Sequence, residues 1–121
     1  MSSTAQIKIA VIGVGGMGRA HVQDILSLPT TQLVAVCDID RARAESVAAA
    51  ANVRAFDDYR ALLAQVELDA VLIATPHYDH TPISLAAFER GRHVLVEKPL
   101  AVHVKDARSM IAARNSWSFI T

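Results

Sequence analysis

The 121-residue chain has one cysteine, Cys37, so no internal disulfide can brace it. It also lacks net charge: twelve acidic side chains balance twelve basic ones, and no run of one sign stands out. That balance argues against a partner held by bulk electrostatics, so neither nucleic acid nor an anionic membrane surface is expected. No apolar stretch is long enough to span a bilayer, and the short polar segment 1–6 has no signal-peptide core. A soluble, cytoplasmic protein is the expectation. Internal repeats, low-complexity stretches and linkers are missing too. The length suits one domain with a real core and is too short for two. Residues 1–6 are expected to be frayed or disordered, and 7–121 to form a single unit. Cys37 lies in the run L-V-A-V-C and reads as a small buried apolar residue.

What the chain does have is alternation. Strand-like apolar runs at 7–12, 33–37, 53–56, 70–74 and 93–96 are separated by helix-like segments at 17–28, 41–51, 59–66, 82–90 and 104–114. The run 33–37 is continuously apolar, as expected of a strand covered on both faces. Local signals mark the boundaries. Pro29 follows the first helix, and alanines fill the second. Asp58 is placed to cap the third, and Thr81 with Pro82 to open the fourth, which Gly91 stops. In the last helix Ala107, Met110 and Ile111 share a face. Residues 117–121 read as the start of a sixth strand or as a frayed end. The fold class is α/β, a Rossmann-type doubly wound parallel sheet.

Residues 7–18 read I-K-I-A-V-I-G-V-G-G-M-G, a buried strand breaking directly into a glycine loop. Glycine triplets alone mark many turns. Here an apolar strand precedes the loop, an amphipathic helix follows it, and Asp38 ends a second strand 20 residues after Gly18. Gly13 is expected to turn the chain out of the strand, Gly15 to let backbone approach a pyrophosphate, and Gly18 to let helix and strand pack closely. Gly16 and Met17 belong to the same cofactor-binding turn. The helix N-terminus offers unpaired N–H groups to phosphate. Asp38 would accept hydrogen bonds from ribose hydroxyls, which favours NAD over NADP. Arg41 and Arg43 sit nearby and read as the solvated opening of a helix. The loops at 13–18, 38–40, 75–80 and 97–99 all follow strands, so they should line the one sheet edge where such folds bind ligands.

These motifs, with A-T-P at 74–76 and V-E-K-P at 96–99 in the same order, resemble the N-terminal half of a known oxidoreductase family. It is the glucose-fructose oxidoreductase, inositol 2-dehydrogenase and MocA (Gfo/Idh/MocA) family. The resemblance covers residues 7–114, and E-K-P is its most distinctive element. It implies NAD or NADP as cofactor and hydride transfer at a carbon bearing a hydroxyl or carbonyl, often on sugars and cyclitols. It puts Thr75 and Pro76 beside the cofactor, matches His80 to a histidine that precedes the next helix, and sets Glu97, Lys98 and Pro99 beneath the nicotinamide. Lys98 is the implied catalytic residue, touching the reacting hydroxyl. The chemistry agrees, because an ammonium stabilises or relays the proton of an alcohol that loses hydride. Pro99 adds the expectation of a cis Lys98–Pro99 bond.

The chain departs from the family loop at His77-Tyr78-Asp79, where many members carry Asn after the proline. His77, Asp79 and His80 are weak as a metal set, and no metal is expected. His21, His93 and His103 belong to no constellation.

The resemblance also implies a second α/β domain carrying most of the substrate pocket. A chain of this length is expected to lack it, and the tail S-W-S-F-I-T does not resemble the strand that would lead there. Truncation, a frameshifted end and a split gene are equally compatible with this. Three readings therefore stand. One is the cofactor half of an NAD-dependent oxidoreductase, acting on a small polyol or sugar if another domain completes it. The second is a non-catalytic NAD-binding module or sensor. The third is a coenzyme A site, which Asp38 disfavours. An open sheet edge without its second domain also predicts self-association or a partner chain.

Overall fold

The computed structural model describes residues 6–75, 80–96 and 119–120, with the side chains of Met17, His80, Val96, Phe119 and Ile120 left out. Ten elements follow in chain order: β1 (Ile7–Ile12), α1 (Gly16–Ser27), β2 (Thr31–Cys37), α2 (Arg41–Ala51), β3 (Arg54–Phe56), α3 (Tyr59–Gln65), β4 (Ala70–Ile73), α4 (His80–Glu89), β5 (His93–Val96) and β6 (Phe119–Ile120). The six strands form one sheet in the order β3-β2-β1-β4-β5-β6, and every pairing is parallel. Phe119 and Ile120 pair as a strand, opposite Val94 and Leu95.

Two apolar cores lie on opposite faces of this sheet. Ile9 and Val11 of β1 face Val22 and Ile25 of α1 and Ala48 of α2. Ala10 and Ile12 face the other way, onto Leu62 and Leu63 of α3 and Ile83, Ala87 and Phe88 of α4. Alternate residues of one short strand thus feed both cores, which explains the unbroken apolarity of Ile9–Ile12. In β2 the alternation slips. Ile9 pairs with Leu33 but Ala10 pairs with Ala35, so Val34 is an extra residue on that strand. The slip puts Leu33 and Val36 in one core and Ala35 and Cys37 in the other.

Helix ends follow local chemistry. Asp58 caps α3, its carboxylate accepting from the Arg60 N–H. Asp40 caps α2 through the Arg43 N–H, and Asn52 closes that helix in the left-handed region at φ 59°. Helix α4 starts at His80, two residues before the sequence placed it, so Thr81 lies inside the first turn rather than at the cap. Pro82 is tolerated there because first-turn N–H groups have no intrahelical acceptor to lose. Gly91 ends α4 at φ 74°. The Arg92 N–H donates to the Ala87 carbonyl and the Gly91 N–H to that of Phe88, the paired bonds of a Schellman motif. No helix among the described residues is long and apolar enough to cross a membrane. The helix expected at 104–114 lies outside the described residues.

Candidate functional site

Strand order reverses between β1 and β4, since β1 leads leftward to β2 and β4 leads rightward to β5. Connections diverge there and leave a crevice beyond the carboxyl ends of the strands. Backbone bonds draw three loops into it: the Gly13 N–H donates to the Cys37 carbonyl at 2.7 Å, the Ala74 N–H to Ile12 at 2.8 Å, and the Asp38 N–H to Phe56 at 3.0 Å. The result is a cavity of about 340 Å³ whose walls include Gly13, Gly15, Asp38, Ile39, Arg43 and Thr75. That is ligand size. Two other hollows, between α1 and α2 and between α3 and α4, lie on the helix flanks away from the strand ends.

The glycines divide into separate roles. Gly13 has φ 94°, and a side chain there would meet the Ala74 carbonyl carbon and the Thr75 nitrogen at 2.8 Å. A Cβ on Gly18 would run into the Gly13 carbonyl, so the contact between helix and loop requires its absence. At Gly15 the nearest atom to such a Cβ is an Arg43 guanidinium nitrogen at 4.0 Å, and around Gly16 nothing lies within 4 Å. Gly13 and Gly18 are therefore required by the protein itself, whereas Gly15 and Gly16 border open space. Gly15 caps α1 without a side-chain hydrogen bond, and the first turn carries no acidic residue. Its N–H groups are left for an anion. Met17 follows in that turn.

Asp38 is 7% exposed. One carboxylate oxygen accepts from the Asp40 N–H at 2.8 Å, and the other from the buried Val14 N–H at 3.0 Å. Val14 sits between Gly13 and Gly15, so the carboxylate ties the glycine loop to the end of β2. A guanidinium nitrogen of Arg43 also reaches that second oxygen, at 3.5 Å. The expectation that Arg41 and Arg43 merely form a solvated helix opening holds for Arg41, which pairs with Glu45 and Asp57 on the surface. Arg43 is also exposed in the first turn of α2, and its guanidinium reaches back to the buried Asp38 as well. Ile39 was also missed. It is 93% exposed on the cavity rim, and its signal was an apolar residue between two aspartates in a loop.

Cys37 forms part of the cavity wall and is 3% exposed. Burial, aided by the negative charges of Asp38, Asp58 and Asp57, pushes its thiol from 9.0 up to about 12. It stays a neutral apolar side chain at physiological pH. A pKa raised on folding means that stability is fully present below the unfolded value and falls as pH rises from 9.0 toward about 12. Urea denaturation of wild type and Cys37→Ser across that window should show the wild type losing more stability; parallel losses would exclude this assignment.

Thr75 lies at the cavity wall. His80 opens α4. Pro76, the loop 77–79, His103, and Glu97, Lys98 and Pro99 with the expected cis bond fall outside the described residues. Among the described residues no three His, Cys, Asp or Glu side chains are grouped to hold a metal.

The family model described as an oxidoreductase family with an NAD-binding Rossmann fold matches residues 7–118. An inositol 2-dehydrogenase of Rubrobacter xylanophilus is 37% identical over 109 residues, which is 89% of this chain and 31% of that protein. A UDP-N-acetylglucosamine 3-dehydrogenase of Acidithiobacillus ferrooxidans is 40% identical over 105 residues, 87% of this chain and 32% of that protein. In structure, the chain resembles the WlbA dehydrogenase of Bordetella pertussis, solved in complex with NADH and UDP-GlcNAcA. The TM-score is 0.86 at 30% identity, over 89% of this chain and 33% of that one. The chain spans about a third of the length of these relatives. It belongs to the Gfo/Idh/MocA oxidoreductase family and carries that family's NAD-binding Rossmann fold.

Proposed function

We propose that this chain is the cofactor-binding part of an NAD-dependent oxidoreductase that moves hydride between nicotinamide and a hydroxyl- or carbonyl-bearing carbon of a sugar- or cyclitol-like substrate. The observation that carries this reading is the join of the glycine loop to Asp38 across the switch-point crevice, with an uncapped helix end beside it. Gly13, Gly15, Gly16, Met17 and Gly18 would hold the pyrophosphate turn. Asp38 would meet the adenosine ribose, with NAD preferred over NADP. Thr75, Pro76 and His80 would flank the cofactor. Glu97, Lys98 and Pro99 would lie under the nicotinamide, Lys98 managing the proton of the reacting hydroxyl. The dinucleotide supplies the hydride acceptor or donor. The relatives' printed substrates, an inositol and a UDP-amino sugar, support the polyol and sugar class. A cytoplasmic location fits this chemistry. Self-association, or pairing with another chain, would cover the sheet edges that β3 and β6 form among the described residues.

Fluorescence titration tests the cofactor half of this reading. NADH should bind more tightly than NADPH; equal affinities would remove the preference, and no binding of either would remove the reading. In a preparation that turns over, Lys98→Ala should abolish turnover while NADH binding stays nearly intact. Light scattering on the same sample reads the association state, and a clean monomer would count against pairing.

A further inference from the structure

We propose that the outer face of α1 and α2 is an interface between two copies of this chain, related by a two-fold axis. The inference goes beyond the cofactor reading and does not depend on it, because this face lies on the helix flank, away from the strand ends. It is also separate from the sheet edges at β3 and β6. A groove of about 360 Å³ runs between the two helices. Val22 is buried in it, and Val47 and Ala51 are half-buried. Leu26 stands on its wall 48% exposed, and Ile7 and Leu28, each 49% exposed, flank the same end of α1. Three of the four exposed large hydrophobic side chains among the described residues therefore gather at one end of this face; the fourth, Ile39, belongs to the crevice. A single exposed leucine needs no partner, but an apolar knob beside an apolar groove marks a contact surface.

Shape and charge indicate the occupant. Knob and hollow on one patch are self-complementary, which is what a two-fold contact requires. Helices α1 and α2 run the same way, since each joins successive parallel strands. A two-fold axis standing on the groove therefore sets the start of this face against the end of its copy. The start carries Arg19, exposed on the groove wall and held by no carboxylate among the described residues. At the other end, neither α1 nor α2 has a basic side chain in its last turn. The negative ends of both helix dipoles are thus left without a cation, and Arg19 of the second copy supplies one. Residues 46–51 of α2 carry no charge, so closing the contact buries no ion there. At zero net charge the two copies do not repel at long range. The face is small. Helices of 12 and 11 residues, at about 1.5 Å per residue and about 10 Å across, present roughly 18 by 20 Å. That is the low end for a specific interface, so pairing should depend on concentration.

Sedimentation velocity over a dilution series of the full chain is the test, applied to wild type, Leu26→Glu, Arg19→Glu and Arg54→Glu, with circular dichroism reading whether each folds. Wild type should pass from monomer to dimer as concentration rises, and more weakly at high salt. Leu26→Glu should weaken the dimer at least tenfold and Arg19→Glu at least threefold. Arg19→Glu, on the solvent side of α1, keeps the test decisive should Leu26→Glu not fold. Arg54→Glu alters the β3 edge instead and should pair as wild type does. A wild type that stays monomeric throughout would overturn the proposal, as would groove variants that dimerise as tightly as wild type. Loss of pairing in Arg54→Glu alone would overturn it and move the contact to the sheet edge, and assemblies that grow past the dimer would overturn the two-fold arrangement. A wild type that dimerises but binds no dinucleotide would remove the cofactor reading and leave this contact standing.

Discussion

Replacing Gly18 with alanine should cost about 3 kcal/mol or more of stability, a large share of the roughly 5–15 kcal/mol that holds a typical domain folded. Helix propensity alone gives the opposite sign, since alanine is favoured over glycine by about 1 kcal/mol inside a helix. Steric conflict decides the outcome. The added methyl would run into the Gly13 carbonyl oxygen and lie 2.7 Å from its carbon. Both are backbone atoms of a residue with little freedom to move. Gly13 is held at φ 94° with its N–H bonded to the Cys37 carbonyl at 2.7 Å and its other side against Ala74 and Thr75. Relief would require α1 to lift from the sheet, opening the core that contains Val14, Val22 and Ile25.

The neighbouring glycines supply the contrast. Gly16→Ala adds a methyl where nothing lies within 4 Å, and Gly15→Ala adds one whose nearest neighbour is the mobile end of Arg43. Both variants should fold with near wild-type stability, whereas Gly15→Ala should weaken dinucleotide binding by filling the space a phosphate needs. Urea denaturation followed by circular dichroism checks the series. A Gly18→Ala protein as stable as the Gly16→Ala protein would show that the loop and helix are not in the contact described.

How much of this was legible in the sequence depends on how local each determinant is. The glycine loop, β1, the α2 boundaries and the α3 cap were readable because they rest on neighbouring residues: an apolar run, an alanine-rich stretch, an aspartate just before a helix. The start of α4 was misplaced because Thr81-Pro82 satisfies a common start pattern that the helix overrides by beginning at His80. The extra residue at Val34 was invisible, since register depends on which residues of β1 it meets rather than on β2 itself. The contact of Arg43 with Asp38 was invisible for a related reason. On its own helix Arg43 resembles Arg41, and only the position of Asp38 across the β2–α2 turn gives one of the two exposed arginines a buried partner. Asp38 itself was found by its spacing. Its direction of bonding was not, because that spacing implied a ribose ligand while the carboxylate also braces the loop that would hold the phosphates.

That double employment makes Asp38→Ala the second severe substitution, with a signature a pure ligand residue would not give. Removing the carboxylate leaves the Val14 N–H buried without its acceptor and strips the Asp40 N–H of its own. An unsatisfied buried donor costs about 1–3 kcal/mol, and the loss of an ionised acceptor puts the expected destabilisation near the upper half of that range. Arg43, 44% exposed, can turn to water and adds little. Dinucleotide affinity should fall by more than tenfold, because both the proposed ribose contact and the shape of the glycine loop would be lost. Asp38→Asn separates the two effects. Its single amide oxygen can serve Val14 or Asp40 but not both, so its stability should fall between wild type and Asp38→Ala. Thermal denaturation without ligand, paired with NADH titration of each variant, reads the two roles on independent scales. Should Asp38→Ala melt with the wild type and differ only in NADH affinity, the carboxylate would be a ligand for ribose and no brace. Should it melt early in the absence of any dinucleotide, the same side chain braces the glycine loop, and the NADH titration reads any ribose contact separately.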